Sequence, residues 1–556
     1  MLVEIHMIQN HSPQNLNRDD LGAPKTCMFG GVVRARISSQ CLKRSIRNPG
    51  NAHDIHSREP GLFAAAMAGH IGTKTKFFPW LVQQALKDSA IPVEEHRRIV
   101  LAAQRIAASK EKAQKKTPVS GKSDDRPTTA QLIHLGPGHA KYYVDKLAEL
   151  RDTHNEQYEY FLNPVVGFQE MVRESLLDSS LDEKEQERIV KVSYVIAKCR
   201  MHELLKPTEG EEPEPEPEME DEQPGGEHAR LIAGRLAELR VSDEKRFKDL
   251  TKPETKEEKQ ILKDTAPEKP KGKKTDEFAN AIRAVKRCDA VDIALFGRMT
   301  TSHAFEDVEA AMQVAHAIST HNALTEVDYF TAVDDLGKTG GGAGYVDEGM
   351  YASACFYKYF SLDWDQLVCN LTPADADIPI QEEAKKLAAA ALGHFIRAAA
   401  QTTPSGKQNS FASNCEPCGI LVEIKKNGKT RTSYANAFAE PVERIGKPDD
   451  DTADEKSIEG RSVACLADHV HSLRNAYGTD SSLLWYSPKL WRFPLQYWER
   501  TADGKRDTPK LVTEDRFEVL GGTQDKSDGL IGAVVKEVSG LSWEGVSNAG
   551  RKEPKA

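Results

Sequence analysis

The chain reads as an α+β protein, and three features of its 556 residues carry that reading. Val3-Glu4-Ile5-His6-Met7-Ile8 alternates apolar and polar residues, the period of a half-buried strand. From about residue 59 to 280 the pattern is helical, broken by charged, proline-rich tracts. Ordered sequence returns near Phe278 with extended segments, a glycine-rich loop and an Asn-Gly turn.

Taken in order, the first strand ends at Pro13, and a basic segment follows. The first fifty residues hold Arg18, Lys25, Arg34, Arg36, Lys43, Arg44 and Arg47 against Glu4, Asp19 and Asp20, a local charge of +4 in a chain of net charge −10. Val32–Ile37 predicts a short strand. Ser38 or Ser39 then N-caps a helix. In that helix Cys41, Leu42, Ser45 and Ile46 share one side, and Gln40, Lys43, Arg44 and Arg47 the other. A helix N-terminus beside cationic side chains suits an anion such as phosphate. The Gly30-Gly31 turn lets backbone approach a ligand closely. The plain alternative is a solvated amphipathic helix after a hairpin.

The central region predicts helices around Leu81–Leu86, Val93, Arg98–Ala107, Tyr143–Arg151, Glu183–Leu205 and Ala229–Leu239. Between them Lys110–Arg126, Pro207–Gly226 and Lys252–Lys274 are too charged or proline-rich to pack, and read as solvated linkers. Lys110, Lys112, Lys115 and Lys116, with Lys269, Lys271, Lys273 and Lys274, are candidates for non-specific contact with a polyanion.

Beyond the linkers, Val291–Phe296 predicts a buried strand that leaves through Gly297-Arg298-Met299. Asp307–Thr320 predicts an amphipathic helix with Val308, Ala311, Met312, Ala315 and Ile318 inward and His316 packed beside them. Glu326–Leu336 and Ala352–Leu362 predict the arms of a hairpin around the glycine loop at 338–344, which lacks the Lys-Ser or Lys-Thr of a phosphate-binding loop. Alternation puts Phe330 on an otherwise polar face. Phe330 then either contacts Phe356 or Tyr357 across the strands or offers a stacking surface to nucleobases. Residues 385–400 form an Ala-rich helix. Gly406-Lys407-Gln408 precedes a strand, with Lys407 a candidate phosphate ligand. Gly419–Lys425 and Thr430–Ala437 predict a hairpin about Asn427-Gly428. Residues 445–460 are a charged link, and Val463–Tyr477 is a helix. Trp485, Trp491, Phe493 and Trp498 predict an aromatic cluster in the tail.

Composition limits the function classes. Residues 209–222 carry nine acids and no base, so without them the net charge would be about −1, and the acidic total does not argue against nucleic acid. Nine cysteines, an odd number and mostly isolated, read as free thiols. Cys415-Glu416-Pro417-Cys418 has no second pair at zinc spacing, so no metal site is expected. No apolar run spans a bilayer and no signal-peptide pattern opens the chain, so a cytoplasmic location without membrane contact is expected. No internal repeat is evident.

Two long blocks carry a family resemblance. "HSPQNLNRDD…KTCMFGGVVRARISSQCLKRSIR" and "DAVDIALFGRMTTS…AAMQVAHAISTH…VDYFTAVDDL" resemble the CasC family, the repeated backbone subunit of type I-E CRISPR Cascade complexes. "GKQNSFAS…SYANAFAEPV" is a fainter third block. The resemblance covers 1–50 and roughly 285–480. It implies an RNA-recognition-motif-like antiparallel sheet, the palm, from residues 1–58 and 281–480. It also implies helical fingers at 59–280 and a thumb hairpin at 325–362; the chain departs from the family in the charged enlargement of the fingers and in a C-terminal extension at 481–556. In such a subunit Arg18, Lys25, Ser38, Gln40, Lys43, Arg44 and Arg47 would hold sugar and phosphate. The carboxylates of Asp19 and Asp20 are placed to orient Arg18 or a neighbour by ion pairing. Phe330 and Thr331 match the thumb position that turns a base out, and Met299 matches a residue that props stacked bases, with packing in the core its plain alternative; Lys407 would be a further phosphate contact.

The implied partners are CRISPR guide RNA, target DNA through the guide, further copies of the chain, and the large, small, CasD-like and CasE-like subunits. Binding rather than catalysis is expected, with no cofactor. A metal-dependent ribonuclease using Asp19 and Asp20, and a stand-alone RNA-binding protein, are the alternatives.

Overall fold

In a computed structural model the chain is described over residues 1–48, 59–105, 133–153, 183–197, 226–252, 290–299, 307–332, 345–372, 377–427, 430–443, 457–479, 481–488 and 529–549, with isolated positions between them. The low-complexity tracts, their lysine clusters, the 338–344 glycine loop and Trp491, Phe493 and Trp498 lie outside the described residues. The chain divides into two units, the first Met1–Gly72, Arg287–Gly297 and Val308–Ala556, the second Thr73–Lys286 and Arg298–Asp307.

The first unit is mixed α and β, built on one sheet. Its strands are β1 (Leu2–Gln14), β2 (Thr26–Phe29) and β3 (Val32–Ile37). The second unit contributes its own small ladder, β4 (Thr73–Thr75) with β5 (Ile133–Leu135). The sheet of the first unit continues with β6 (Met312–Val314), β7 (Ala317–Ser319), β8 (Glu326–Ala332), β9 (Tyr345–Asp363), β10 (Gly419–Lys425) and β11 (Ser482–Tyr486). Its order is Asp515–Phe517, β11, β10, β1, β9, β7, β3, β2, with β6 and β8 also on β9. Every pairing is antiparallel except β11 with Asp515–Phe517.

Strand β1 is central, with β10 on one side and β9 on the other, so both of its faces are buried rather than one. Val3, Ile5 and Met7 join the main core, where Ile378–Gln401 runs as a helix whose alanines permit close approach to the sheet. Glu4, His6 and Ile8 face the other way, under the helix Ile458–Tyr477. Burial of Glu4 is compensated: it accepts from the Lys425 ammonium, the Tyr359 hydroxyl and, at 2.8 Å, the Thr432 N–H. His6 is held neutral, pushed down to about 3 first by burial and then by the nearby Lys425 charge. Pro13 does not end the strand. The register shifts between His11 and Gln14, and this irregularity absorbs a residue that cannot donate to the ladder.

Three further expectations are corrected. Val291–Phe296 is a buried helix, not a strand; a short apolar run does not by its period distinguish the two. Asp307–Thr320 is not a helix. Its apolar residues Ala311, Met312 and Ala317 are buried through β6 and β7, which pair with β9. Gly419–Lys425 pairs with β1 and β11, whereas Ala435–Phe438 forms a 3₁₀ turn, so the Asn-Gly hairpin does not form there.

The second unit holds two apolar clusters. One gathers Phe78, Val82, Leu86, Ile99 and Tyr143. The other gathers Ile189, Ile232, Leu236 and Phe247. Among the described residues no helix is long and apolar enough to cross a membrane.

Candidate nucleic-acid interface

The basic loop is shaped by its own side chains. The Asp19 carboxylate accepts the N–H groups of Leu21 at 3.0 Å and Ala23 at 2.9 Å through one oxygen, an Asx-type turn. Asp19 N–H donates to Ala23 O at 2.9 Å, and Lys25 N–H to Asn17 O at 2.9 Å. Among the described residues no ion pair joins Arg18 to Asp19 or Asp20, so Asp19 organises backbone instead of orienting Arg18. Arg18 is bridged across the loop to Pro24 and its side chain is exposed.

Two asparagines carry this loop to its neighbours. Asn17 Oδ1 accepts from Ser38 N–H at 2.9 Å. Ser38 Oγ accepts from Cys41 N–H at 3.3 Å and caps helix α1 (Ser39–Arg47), one of the two caps that the sequence allows. Asn15 Nδ2 donates to Gly22 O at 2.9 Å and to Met350 O at 2.8 Å, fastening the loop to β9 where it enters the β8–β9 hairpin. The segment after Pro404 packs on the same loop, since a Cβ at Gly406 would lie 2.7 Å from Asn15 O. Lys407, at φ +48°, brings its ammonium within 3.4 Å of where a Cβ on Gly349 would stand, close to Phe330. Arg18, Lys25, Ser38, Lys407 and the hairpin root are thus one connected set.

Helix α1 splits its cations. Gln40 and Arg44 are exposed, and Lys43 is half-buried with Nζ 5.6 Å from the Phe296 ring centroid. Arg47 does not share their face. It is buried, paired with the fully buried Asp292 and hydrogen-bonded to Gly72 O, while Asp292 also accepts Gly72 N–H at 2.7 Å. A guanidinium so enclosed fixes chain segments distant in sequence and is not offered to a ligand. Gly30 also serves the fold: at φ +61° its missing Cβ makes room for Ala439 O, whose neighbour Phe438 O accepts from buried Arg34 at 2.8 Å.

The hairpin pairs Glu326 with Tyr351 through Ala332 with Tyr345, so its second arm is Tyr345–Tyr351 and not Ala352–Leu362. Ala352–Leu362 instead continues β9 into the sheet against β1. Phe330 is 41 % exposed, opposite Asp347 and 6.3 Å from the Tyr345 ring, so Phe356 and Tyr357 are not its partners. Thr331 lies on the other face, opposite Val346. That face also bears exposed Val327, Tyr329 and Met350. Met299 belongs to the second unit and is 92 % exposed, so it is not core.

Sequence reasoning missed Arg36 and His316 as a pair. Arg36 donates to His316 Nδ1 at 3.0 Å and to Thr26 O at 3.3 Å. His316 is exposed, not packed beside an apolar face. Alternation along β3 signals that Arg34 and Arg36 share a side, but not that one is enclosed and the other open.

The chain of a solved "CRISPR RNA-guided surveillance complex, pre-nicking" is similar over 97 % of this chain and 100 % of its own, at 22 % identity and a TM-score of 0.51. A second structure, "CRISPR RNA-guided surveillance complex", is 18 % identical over 97 % and 99 %, with a TM-score of 0.40. No curated protein matches. The Cas_CT1975 family model, described as "CT1975-like protein", matches residues 3–191 and 167–499, well over half of the chain. The chain therefore belongs to the CT1975-like protein family.

Proposed function

We propose that the protein is the RNA-binding backbone subunit of a Cascade-type CRISPR surveillance complex, of type I-E. Copies line up along one guide RNA, with the sheet of the first unit as an RNA-recognition-motif-like palm, the second unit as fingers and β8–β9 as the thumb. The likeness in fold and the family support this reading. The observation that carries it is the fastening of the cationic loop, the capped N-terminus of α1 and the hairpin root by Asn15 and Asn17.

Arg18, Lys25, Ser38, Gln40, Lys43, Arg44 and Lys407 hold sugar and phosphate, contacts that position a strand without reading it. Arg47 leaves this set because its charge is spent on Asp292. Phe330 and Thr331 divide the guide into segments, and Met299 props stacked bases. Target DNA is then selected by pairing with the displayed guide. The large, small, CasD-like and CasE-like subunits complete the complex. In this reading the subunit binds without cutting, and Asp19 serves its own loop, where one carboxylate oxygen accepts the N–H groups of Leu21 and Ala23.

Binding of labelled single-stranded RNA to the full chain tests this. Lys43→Glu with Arg44→Glu should weaken binding by about thirtyfold or more and flatten the dependence of log affinity on log salt by about 0.7 for each phosphate no longer neutralised. Unchanged affinity and slope in the folded double variant would overturn the reading.

A further inference from the structure

We infer that Lys25, Arg36 and His316 form a second phosphate subsite at the sheet edge, taking a phosphodiester group of the strand that α1 holds. The inference rests on the RNA-binding reading above, which contains Lys25, and adds Arg36 and His316 to it.

The three groups come from strand β3 and from the residues just before β2 and β7. Arg36 N–H donates to Lys25 O at 2.8 Å, so the two residues are neighbours on the β2–β3 ribbon. Arg36 lies opposite Ile318 on β7, and His316 immediately precedes that strand. The Arg36–His316 contact of 3.0 Å joins the ends of this row. Because the guanidinium can only donate, His316 Nδ1 is the acceptor and Nε2 carries the hydrogen. The imidazole is thereby fixed in one tautomer, with its single N–H, on Nε2, left over.

The remaining hydrogen-bonding capacity is all donor. Arg36 uses Nε on Thr26 O and one Nη1 hydrogen on His316, leaving three N–H groups. His316 adds its Nε2–H and Lys25 its ammonium. Among the described residues none of the three is ion-paired with a carboxylate. Burial, then Arg36 and then Lys25, lower the His316 pKa, as expected where cations crowd together without a counter-charge. Arg34, the other cation on this side of β3, points its donors at Phe29, Ser319, Phe438 and Ala439 carbonyls and is not part of the set. A row of donors with no acceptor suits a group that only accepts, and a phosphodiester does so with one negative charge.

RNA binding by the full chain, measured across a salt series, tests the subsite. Arg36→Gln should weaken binding about tenfold and flatten the salt slope by about 0.7, the share of one phosphate. His316→Leu should weaken it several-fold. His316→Gln should stay within about twofold of the native chain, because an amide accepts from Arg36 and still donates outward. Equal losses in both His316 variants, with a lowered melting temperature and a native salt slope, would mean a structural role and overturn the subsite. So would a native salt slope in folded Arg36→Gln while Lys43→Glu/Arg44→Glu still impairs binding. If neither set of variants changes binding, it is the RNA reading that fails. Inorganic phosphate at matched ionic strength is the second probe. If it competes with RNA on the native chain but not on Arg36→Gln at low millimolar concentration, the site takes free phosphate and the strand assignment is overturned.

Discussion

Lys358 stands apart from the other buried charges. Arg47 meets Asp292 and Lys425 meets Glu4, but Lys358 is 1 % exposed and, among the described residues, has no ion pair or hydrogen bond. It lies opposite Met7 on the sheet face that carries Gln9 and His11. Gln9 Oε1, His11 Nε2 and Gln408 Oε1 are buried acceptors on or against that face and also lack partners. Burial pushes the Lys358 pKa down to about 8 from 10.5. Below pH 8 the ammonium is charged in both folded and unfolded chain, and the folded state bears the whole desolvation cost, about 3 kcal/mol. Between pH 8 and 10.5 the unfolded chain binds more protons than the folded one, so stability rises with pH through that window. Lys358→Met should therefore raise stability at pH 7 by about 3 kcal/mol and abolish the alkaline rise. Urea melts at pH 7 and pH 10 would show both effects; a variant less stable at pH 7 would mean that the ammonium is compensated.

At the level of elements, what is legible in the sequence is what neighbours along the chain decide. The Val32–Ile37 strand and the Ser38 cap rest on residues three or fewer apart, and both are present as expected. Arg47 escapes such a reading because its position is decided by Asp292, 245 residues away, which no helical period reveals. The 307–320 segment shows the same limit: its buried positions fit a helical stripe, yet pairing with β9 overrides that pattern. Within the interface, the loop, the helix and Lys407 are visible from charge, whereas Asn15 and Asn17, which join them, carry no sequence signal of their own. The hairpin adds a prediction at this scale. Phe330 is partly exposed beside Tyr345, so losing its ring should cost little folding energy but remove a stacking surface. Phe330→Ala should keep the native melting temperature within about 1 °C and weaken RNA binding by about five- to fiftyfold, the worth of one stacked base. The fluorescence of 2-aminopurine in the bound RNA, raised when the probe unstacks, should respond to native protein and less to the variant. An unchanged response would remove Phe330 from the base-turning role.

For the molecule as a whole, the C-terminal helices belong to the sheet-bearing unit. Trp543 of the last helix lies over Gly393 of Ile378–Gln401, where any larger side chain would collide with the indole, and His394 meets Ser547 O at 2.9 Å. That unit also carries a hairpin face of Val327, Tyr329, Val346 and Met350 open to solvent. Exposed apolar area of this kind is costly for a chain that stays alone and useful for one that stacks on copies of itself. If each copy covers the next in the same sense, the association does not close, and only the length of the bound strand limits growth. Light scattering on complexes with single-stranded RNA of stepwise increasing length should then give masses that climb in whole multiples of 61.6 kDa, less the RNA. Tyr329→Glu should cap the complexes near one copy while leaving most of the first binding step in place, because that residue is on the face opposite Phe330 and Lys407 and shares its own face with only Thr331 of the proposed RNA contacts. One copy on every RNA, whatever its length, would instead describe a stand-alone RNA-binding protein. In that case the open hairpin face would need a different partner.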